Sequence, residues 1–147
     1  MKVAALQMVS SPRRDDNLAT ARQLLEQAAA SGVELAVLPE YCGAVGARDT
    51  DELALRETPG QGVVQAFLAQ AARELDLWIV GGTLPMACDD PHKVRNTVLV
   101  YSPQGDCVAR YDKIHLFGLR HGEEVYDEGE TIEPGAAVVT VDIDGWT

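Results

Sequence analysis

Hydrophobic positions along this chain of 147 residues fall into segments of two different periods, and their alternation predicts an order of elements. The run Val3-Ala4-Ala5-Leu6-Gln7-Met8-Val9 reads as a first strand. After a polar stretch from Ser10 to Asp16, Leu18, Ala21, Leu24, Leu25, Ala28 and Ala29 recur at helical spacing; Asp15-Asp16-Asn17 suits an N-cap and Gly32 is a stop signal. Leu35 to Leu38 is apolar on both faces, the pattern of a central strand, so these segments form a βαβ unit. Residues 42–62 carry no sustained period and read as a loop with one short helical turn. Val64, Phe67, Leu68, Ala71, Ala72 and Leu75 then predict a second amphipathic helix, and Trp78 to Thr83 a third strand. Beyond it the pattern changes to strands without helices. Thr97–Tyr101 and Cys107–Tyr111 form a hairpin around Pro103-Gln104-Gly105-Asp106. Residues 116–135, rich in Gly, Glu and Asp, read as a loop; Ala137 to Ile143 alternates as a further strand, and Asp144-Gly145 is a turn leading into its partner.

Composition narrows the class. With 46% hydrophobic, 24% charged and 5% aromatic residues the chain is an ordinary globular domain, long enough to bury about two thirds of the surface of its unfolded form. A net charge of −11 and a pI near 4.5 argue against a nucleic-acid or anionic-membrane surface, both of which need clustered Lys and Arg. No apolar run approaches membrane length and the N-terminus lacks a signal-peptide pattern, so the expected location is the cytoplasm. Cys42, Cys88 and Cys107 show no C-x-x-C spacing, and His115 and His121 lack a third ligand, so neither a disulfide framework nor a metal site is expected.

Two charged residues stand out. Glu40 follows Leu35-Ala36-Val37-Leu38-Pro39, and Lys113 follows Arg110-Tyr111-Asp112; each lies just past an apolar strand, where a sheet presents side chains to a ligand. Taken singly, a charged residue in such a place is usually a solvated loop residue. Cys42, two residues from Glu40, is the nearest thiol, but a lone cysteine is more often a small buried hydrophobe. Arg48 and Arg120 have the donor geometry to clamp a substrate carboxylate, although exposed arginines are usually only solvated.

The ordered set Gln7-Met8, Pro39-Glu40, Gly81-Gly82-Thr83, Asn96-Thr97, Tyr111-Asp112-Lys113-Ile114-His115-Leu116-Phe117, Tyr126-Asp127-Glu128 and Pro134-Gly135 resembles the carbon–nitrogen hydrolase (nitrilase) superfamily, collinearly over the whole chain. The Lys-x-His-Leu-Phe segment is most similar to the branch of omega-amidases and deaminated glutathione amidases, with Gly118 where that branch often has an aspartate. The resemblance implies an α/β fold, an αββα sandwich of the nitrilase type, of which residues 1–147 are a single N-terminal portion truncated before the nucleophile. It also implies a Glu-Lys-Cys site: Glu40 and Lys113 match its first two members, Glu128 matches a further glutamate that orients the lysine, and the cysteine is expected beyond Thr147. His115 is expected to pack and hydrogen-bond beneath the lysine. No metal and no organic cofactor are implied; the partner is a small-molecule amide, and relatives commonly form homo-oligomers when complete.

The implied reaction makes sense of those residue types. A thiol with a reference pKa of about 8.5 needs a carboxylate to take its proton as it attacks an amide carbon, the role of Glu40. The oxyanion that forms is stabilised by a fixed ammonium, the role of Lys113; ammonia leaves a thioester, and Glu40 then activates water. The 147-residue chain itself is expected to be inactive. An alternative is a non-catalytic half-domain or pseudoenzyme that binds a small molecule or pairs with another chain. A doubly wound nucleotide-binding domain is disfavoured by the lack of a Gly-x-Gly-x-x-Gly or Walker loop.

Overall fold

A computed structural model of the chain describes residues 1–46, 51–122 and 124–147. The elements run β1 (Val3–Ala5), α1 (Arg14–Ala30), β2 (Leu35–Val37), α2 (Asp51–Leu55), α3 (Val63–Leu75), β3 (Trp78–Ala87), β4 (Val94–Tyr101), β5 (Cys107–Asp112), β6 (Gly118–His121) and β7 (Glu124–Asp127), followed by a 3₁₀ turn at Glu128–Glu130.

Strands β1 to β5 lie side by side in sequence order as one sheet. The first three pair in parallel, each joined to the next through helices, while β3–β4 and β4–β5 are antiparallel. The register aligns Ala4, Ala36, Ile79 and Tyr101 on one face, and α1 and α3 cover that face. Leu18, Ala21, Leu25 and Ala28 of α1 and Val64, Leu68, Ala71 and Ala72 of α3 close the core there, which is why those positions recur at helical spacing. On the opposite face Leu35, Val37, Trp78 and Val80 are only half-buried. The chain therefore supplies one helix layer and one sheet layer, half of an αββα sandwich.

Several boundaries differ from the sequence-based expectation, each for a reason of pairing. The first strand forms its ladder over Val3–Ala5 alone, because β2 beside it is equally short. The third runs on to Ala87 and the fourth begins at Val94, since antiparallel pairing from Leu84↔Thr97 to Ala87↔Val94 extends both. Residues 116–135 are not simply a loop: β6 and β7 make a hairpin whose paired residues are all exposed where described, so no buried face marked it in the sequence. Ala137–Ile143, expected as a strand, has the alternation but no ladder; among its described residues only Ile143 pairs, in the isolated bridge Ile143↔Trp146. Alternation marks a chain fit to be a strand, and hydrogen bonding to a neighbour makes it one.

The N-cap of α1 is Arg13, without a side-chain cap bond. Asp15 and Asp16 sit in the first turn, where carboxylates suit the helix dipole. Asn17 does something else: buried, it donates from Nδ2 to the carbonyls of Ser11 (2.7 Å) and Gly43 (3.0 Å), tying the segment after Glu40 to the helix.

Candidate active site

Glu40, Lys113 and Glu128 converge at the carboxyl end of β2. Glu40 follows β2, whose ladder extends one residue further as Leu38 N–H donates to Val80 O (2.9 Å). Lys113 follows β5, and its N–H donates to the carbonyl of Asn96 in β4 (2.9 Å). Glu128 opens the 3₁₀ turn after β7. The Lys113 ammonium lies 2.9 Å from Glu128 Oε2 and 3.7 Å from Glu40 Oε1, so one cation sits between two carboxylates.

The motif glycines make room for this arrangement. At Gly82 (φ +63°) a β-carbon would stand 2.0 Å from the carbonyl oxygen of Pro39, so β3 passes the Pro39-Glu40 turn only with glycine there. The register of β3 against β4 shifts between Val80 and Thr83, across the two glycines, and this bulge delivers Thr83 Oγ1 as acceptor for the N–H of Tyr41 (3.0 Å). Gly135 plays the corresponding part for the lysine: its β-carbon would stand 2.2 Å from Asp112 O, and its N–H donates to Lys113 O (2.9 Å).

Environment separates the two carboxylates. Glu128 is buried, and besides the ammonium its Oε2 accepts from the N–H of Phe117 (2.6 Å), so it is fully engaged in holding the 113–117 segment. The Glu40 side chain is 51% exposed and open to an incoming group. Burial alone would lower the Lys113 pKa, but the hydrogen bond and charge of Glu128, then those of Glu40, outweigh it and hold the ammonium above the ordinary lysine value. The strand end before Lys113 is fixed as well: Asp112 Oδ1 accepts from Thr97 Oγ1 (2.6 Å) and Arg110 Nε (2.9 Å).

Other candidates fall away from this centre. His115 is exposed rather than packed beneath the lysine, because the chain leaves the sheet at that point. Arg120 lies exposed on β6, whereas Arg48 lies outside the described residues. Among the described residues no cluster of His, Cys, Asp or Glu could hold a metal ion, and no helix is long and apolar enough to cross a membrane. Two residues that sequence reasoning gave no role do reach the site. Asn96 and Tyr41 both touch Glu40's surroundings, and the Asn96-Thr97 motif was the available signal.

Cys42 is no nucleophile. It is 1% exposed, donates from Sγ to Gly81 O (3.2 Å), and burial pushes its thiol up to about 12. Alkylation of the native chain at mild alkaline pH is therefore expected to modify exposed Cys107 and half-buried Cys88, with Cys42 reacting only on unfolding. Peptide mapping after timed labelling checks this; equal labelling of all three thiols in the folded chain would contradict the burial of Cys42.

A mixed sheet with helices on one face defines an α/β protein, and it brings an exposed carboxylate, an ammonium and a second, buried carboxylate together at one end. Over residues 2–145 the sequence matches the carbon-nitrogen hydrolase family, and the chain belongs to that family. It is 32% identical over 143 residues to omega-amidase NIT2 of Homo sapiens, covering 96% of this chain and 50% of that protein. Nitrilase homolog 2 of Dictyostelium discoideum is 29% identical over 143 residues, 97% of this chain and 43% of that protein. Among solved structures, Saccharomyces cerevisiae Nit3, a member of branch 10 of the nitrilase superfamily, superposes with a TM-score of 0.82 at 26% identity, covering 98% of this chain and 52% of that one. An amidase from Nesterenkonia sp. shares the fold with a TM-score of 0.77 at 24% identity, covering 99% of this chain and 52% of that one. The chain spans about half the length of the curated relatives it matches.

Proposed function

We propose that this chain is the base-and-oxyanion half of an amidase that cleaves the terminal amide of a small carboxylated substrate through a cysteine acyl-enzyme. The observation that carries the reading is the Lys113 ammonium held between Glu40 and Glu128, one carboxylate exposed and one buried. Glu128 neutralises and orients the cation, while Glu40 is left free to exchange a proton. In the longer protein the nucleophilic cysteine lies beyond Thr147; Glu40 takes its proton as sulfur attacks the amide carbon, and Lys113 stabilises the oxyanion. Collapse of the tetrahedral intermediate expels ammonia, which carries away the proton taken up by Glu40, and leaves a thioester. Glu40 then draws a proton from water, hydroxide adds to the thioester, and the carboxylic acid and free thiol are released. The similarity to omega-amidases favours a primary amide at the far end of a carboxylic acid. The reaction belongs in the cytoplasm, where the thiol stays reduced, and the complete chain is read as a homo-oligomer.

The test is ammonia release from short dicarboxylic acid monoamides by the longer protein, with hydroxylamine added to trap the acyl-enzyme as a hydroxamate. Hydrolysis and trapping are expected there, and neither from residues 1–147 alone. Failure of the longer protein to release ammonia from any such amide overturns the reading in favour of a binding domain.

A further inference from the structure

We propose that Asn96 is the positioning residue of the Glu40 carboxylate and the inner link of a hydrogen-bonded relay, Glu52–Tyr41–Asn96–Glu40, that aims the carboxylate toward Lys113. Its catalytic meaning rests on the reading of Glu40 as the base; the two links made by Asn96 are a matter of geometry.

Asn96 is 1% exposed, on β4 between Arg95 and Thr97, with Val94 and Val98 two positions away on either side. Its Nδ2 donates to Glu40 Oε1 (2.8 Å) and to the phenol oxygen of Tyr41 (3.3 Å), while its main-chain carbonyl accepts from the N–H of Lys113. One residue therefore touches base and cation alike, the first through its side chain and the second through its backbone. The orientation of the amide follows from the next link. The Tyr41 hydroxyl is hydrogen-bonded to the carboxylate of Glu52, which can only accept, so the phenol donates outward and presents its oxygen as acceptor toward Asn96. The reversed amide would set Oδ1 against a carboxylate oxygen and a phenol oxygen with no proton to offer. As placed, both N–H groups are used, and the cost falls on Oδ1, which is buried without a partner among the described residues.

That orphan acceptor is the argument for function. A leucine would fill this place in β4 without leaving any polar atom unpaired, so packing alone does not account for an asparagine here. The backbone points the same way: Tyr41 holds φ +53°, a conformation unusual for a non-glycine residue, in the turn that places its ring beside Asn96. The Glu40 side chain is half exposed, and the groups that face it are Asn96, the Lys113 ammonium and the nearby Tyr41 hydroxyl. Without the amide, the carboxylate is free to turn toward solvent.

The relay is read directly in the 147-residue chain by the side-chain amide signals of Asn96 in ¹⁵N-labelled protein. Those signals are expected to exchange slowly with solvent and to move on Glu40→Gln and on Tyr41→Phe; signals indifferent to both substitutions overturn the relay. In the longer protein, Asn96→Leu is expected to lower kcat by about 10- to 100-fold with KM changed less than about threefold, because misdirecting the base spares substrate binding. Tyr41→Phe removes one oxygen and little packing, and is expected to give a smaller loss of the same kind. It decides the matter if Asn96→Leu does not fold, since wild-type kcat and unmoved Asn96 signals in Tyr41→Phe refute the relay. If the wild-type longer protein hydrolyses no amide, the catalytic reading falls while the amide signals still decide the geometry.

Discussion

Glu40→Gln in the longer protein is expected to lower kcat for amide hydrolysis by about 10²- to 10⁴-fold, the range spanned by loss of a well-placed general base. The substitution is nearly isosteric. The new side-chain oxygen still accepts from Asn96 Nδ2, so the relay keeps an acceptor, and the half-exposed position makes the effect on folding small. What is lost is the ability to take a proton from the thiol and later from water. Steady-state kinetics with a folding control therefore isolate the chemical role: KM should move little, and hydroxamate trapping should fall with kcat because acylation itself is impaired. Retention of wild-type kcat would remove Glu40 from the mechanism, and a change confined to KM would make it a substrate contact instead. Glu128→Gln is a different experiment. Glu128 is buried against Lys113 and the Phe117 N–H, so its neutralisation strips the cation of its nearer partner, and structure and activity fall together.

The sequence was legible where local pattern and tertiary structure agree. Helices α1 and α3 carry their buried faces as a 3.6-residue period, and β2 and the β4–β5 hairpin carry theirs as short apolar runs with a turn between. It failed where a partner strand decides. Ala137–Ile143 carries a strand's alternation and has no ladder, whereas β6 and β7 are a ladder with no buried face to announce it. The site divides along the same line. Glu40, Lys113 and Glu128 could be named because each lies in a short motif, and the fold brings them together from three separate segments. Asn96 was visible as part of a motif too, but its connection to Glu40 spans 56 positions and exists only once β4 lies beyond β3 in the sheet. The motif glycines were equally silent about their purpose, since a glycine's value at a crowded point depends on what crowds it.

Gly82→Ala tests that last point with the largest expected cost to stability, about 2–4 kcal/mol, summed from roughly 1 kcal/mol for holding alanine in the left-handed region and 1–3 kcal/mol for overpacking. The backbone at Gly82 has φ +63°, and the added methyl would lie 2.0 Å from Pro39 O and 3.2 Å from Cys42 Sγ. Neither neighbour yields easily, because the Pro39 carbonyl belongs to the turn after β2 and the Cys42 thiol is packed in the core. Gly32→Ala is the internal control. Gly32 has φ +74°, yet a β-carbon there meets nothing within 4 Å, so it incurs only the conformational term of about 1 kcal/mol. Denaturant unfolding of the two variants beside the wild type therefore separates strain from collision, and equal losses would show that β3 and the Pro39-Glu40 turn can part without penalty. If they cannot, the methyl group displaces the residue that precedes Glu40. The same variant should then shift the Asn96 side-chain signals, because the relay and the glycine bulge converge on the same carboxylate.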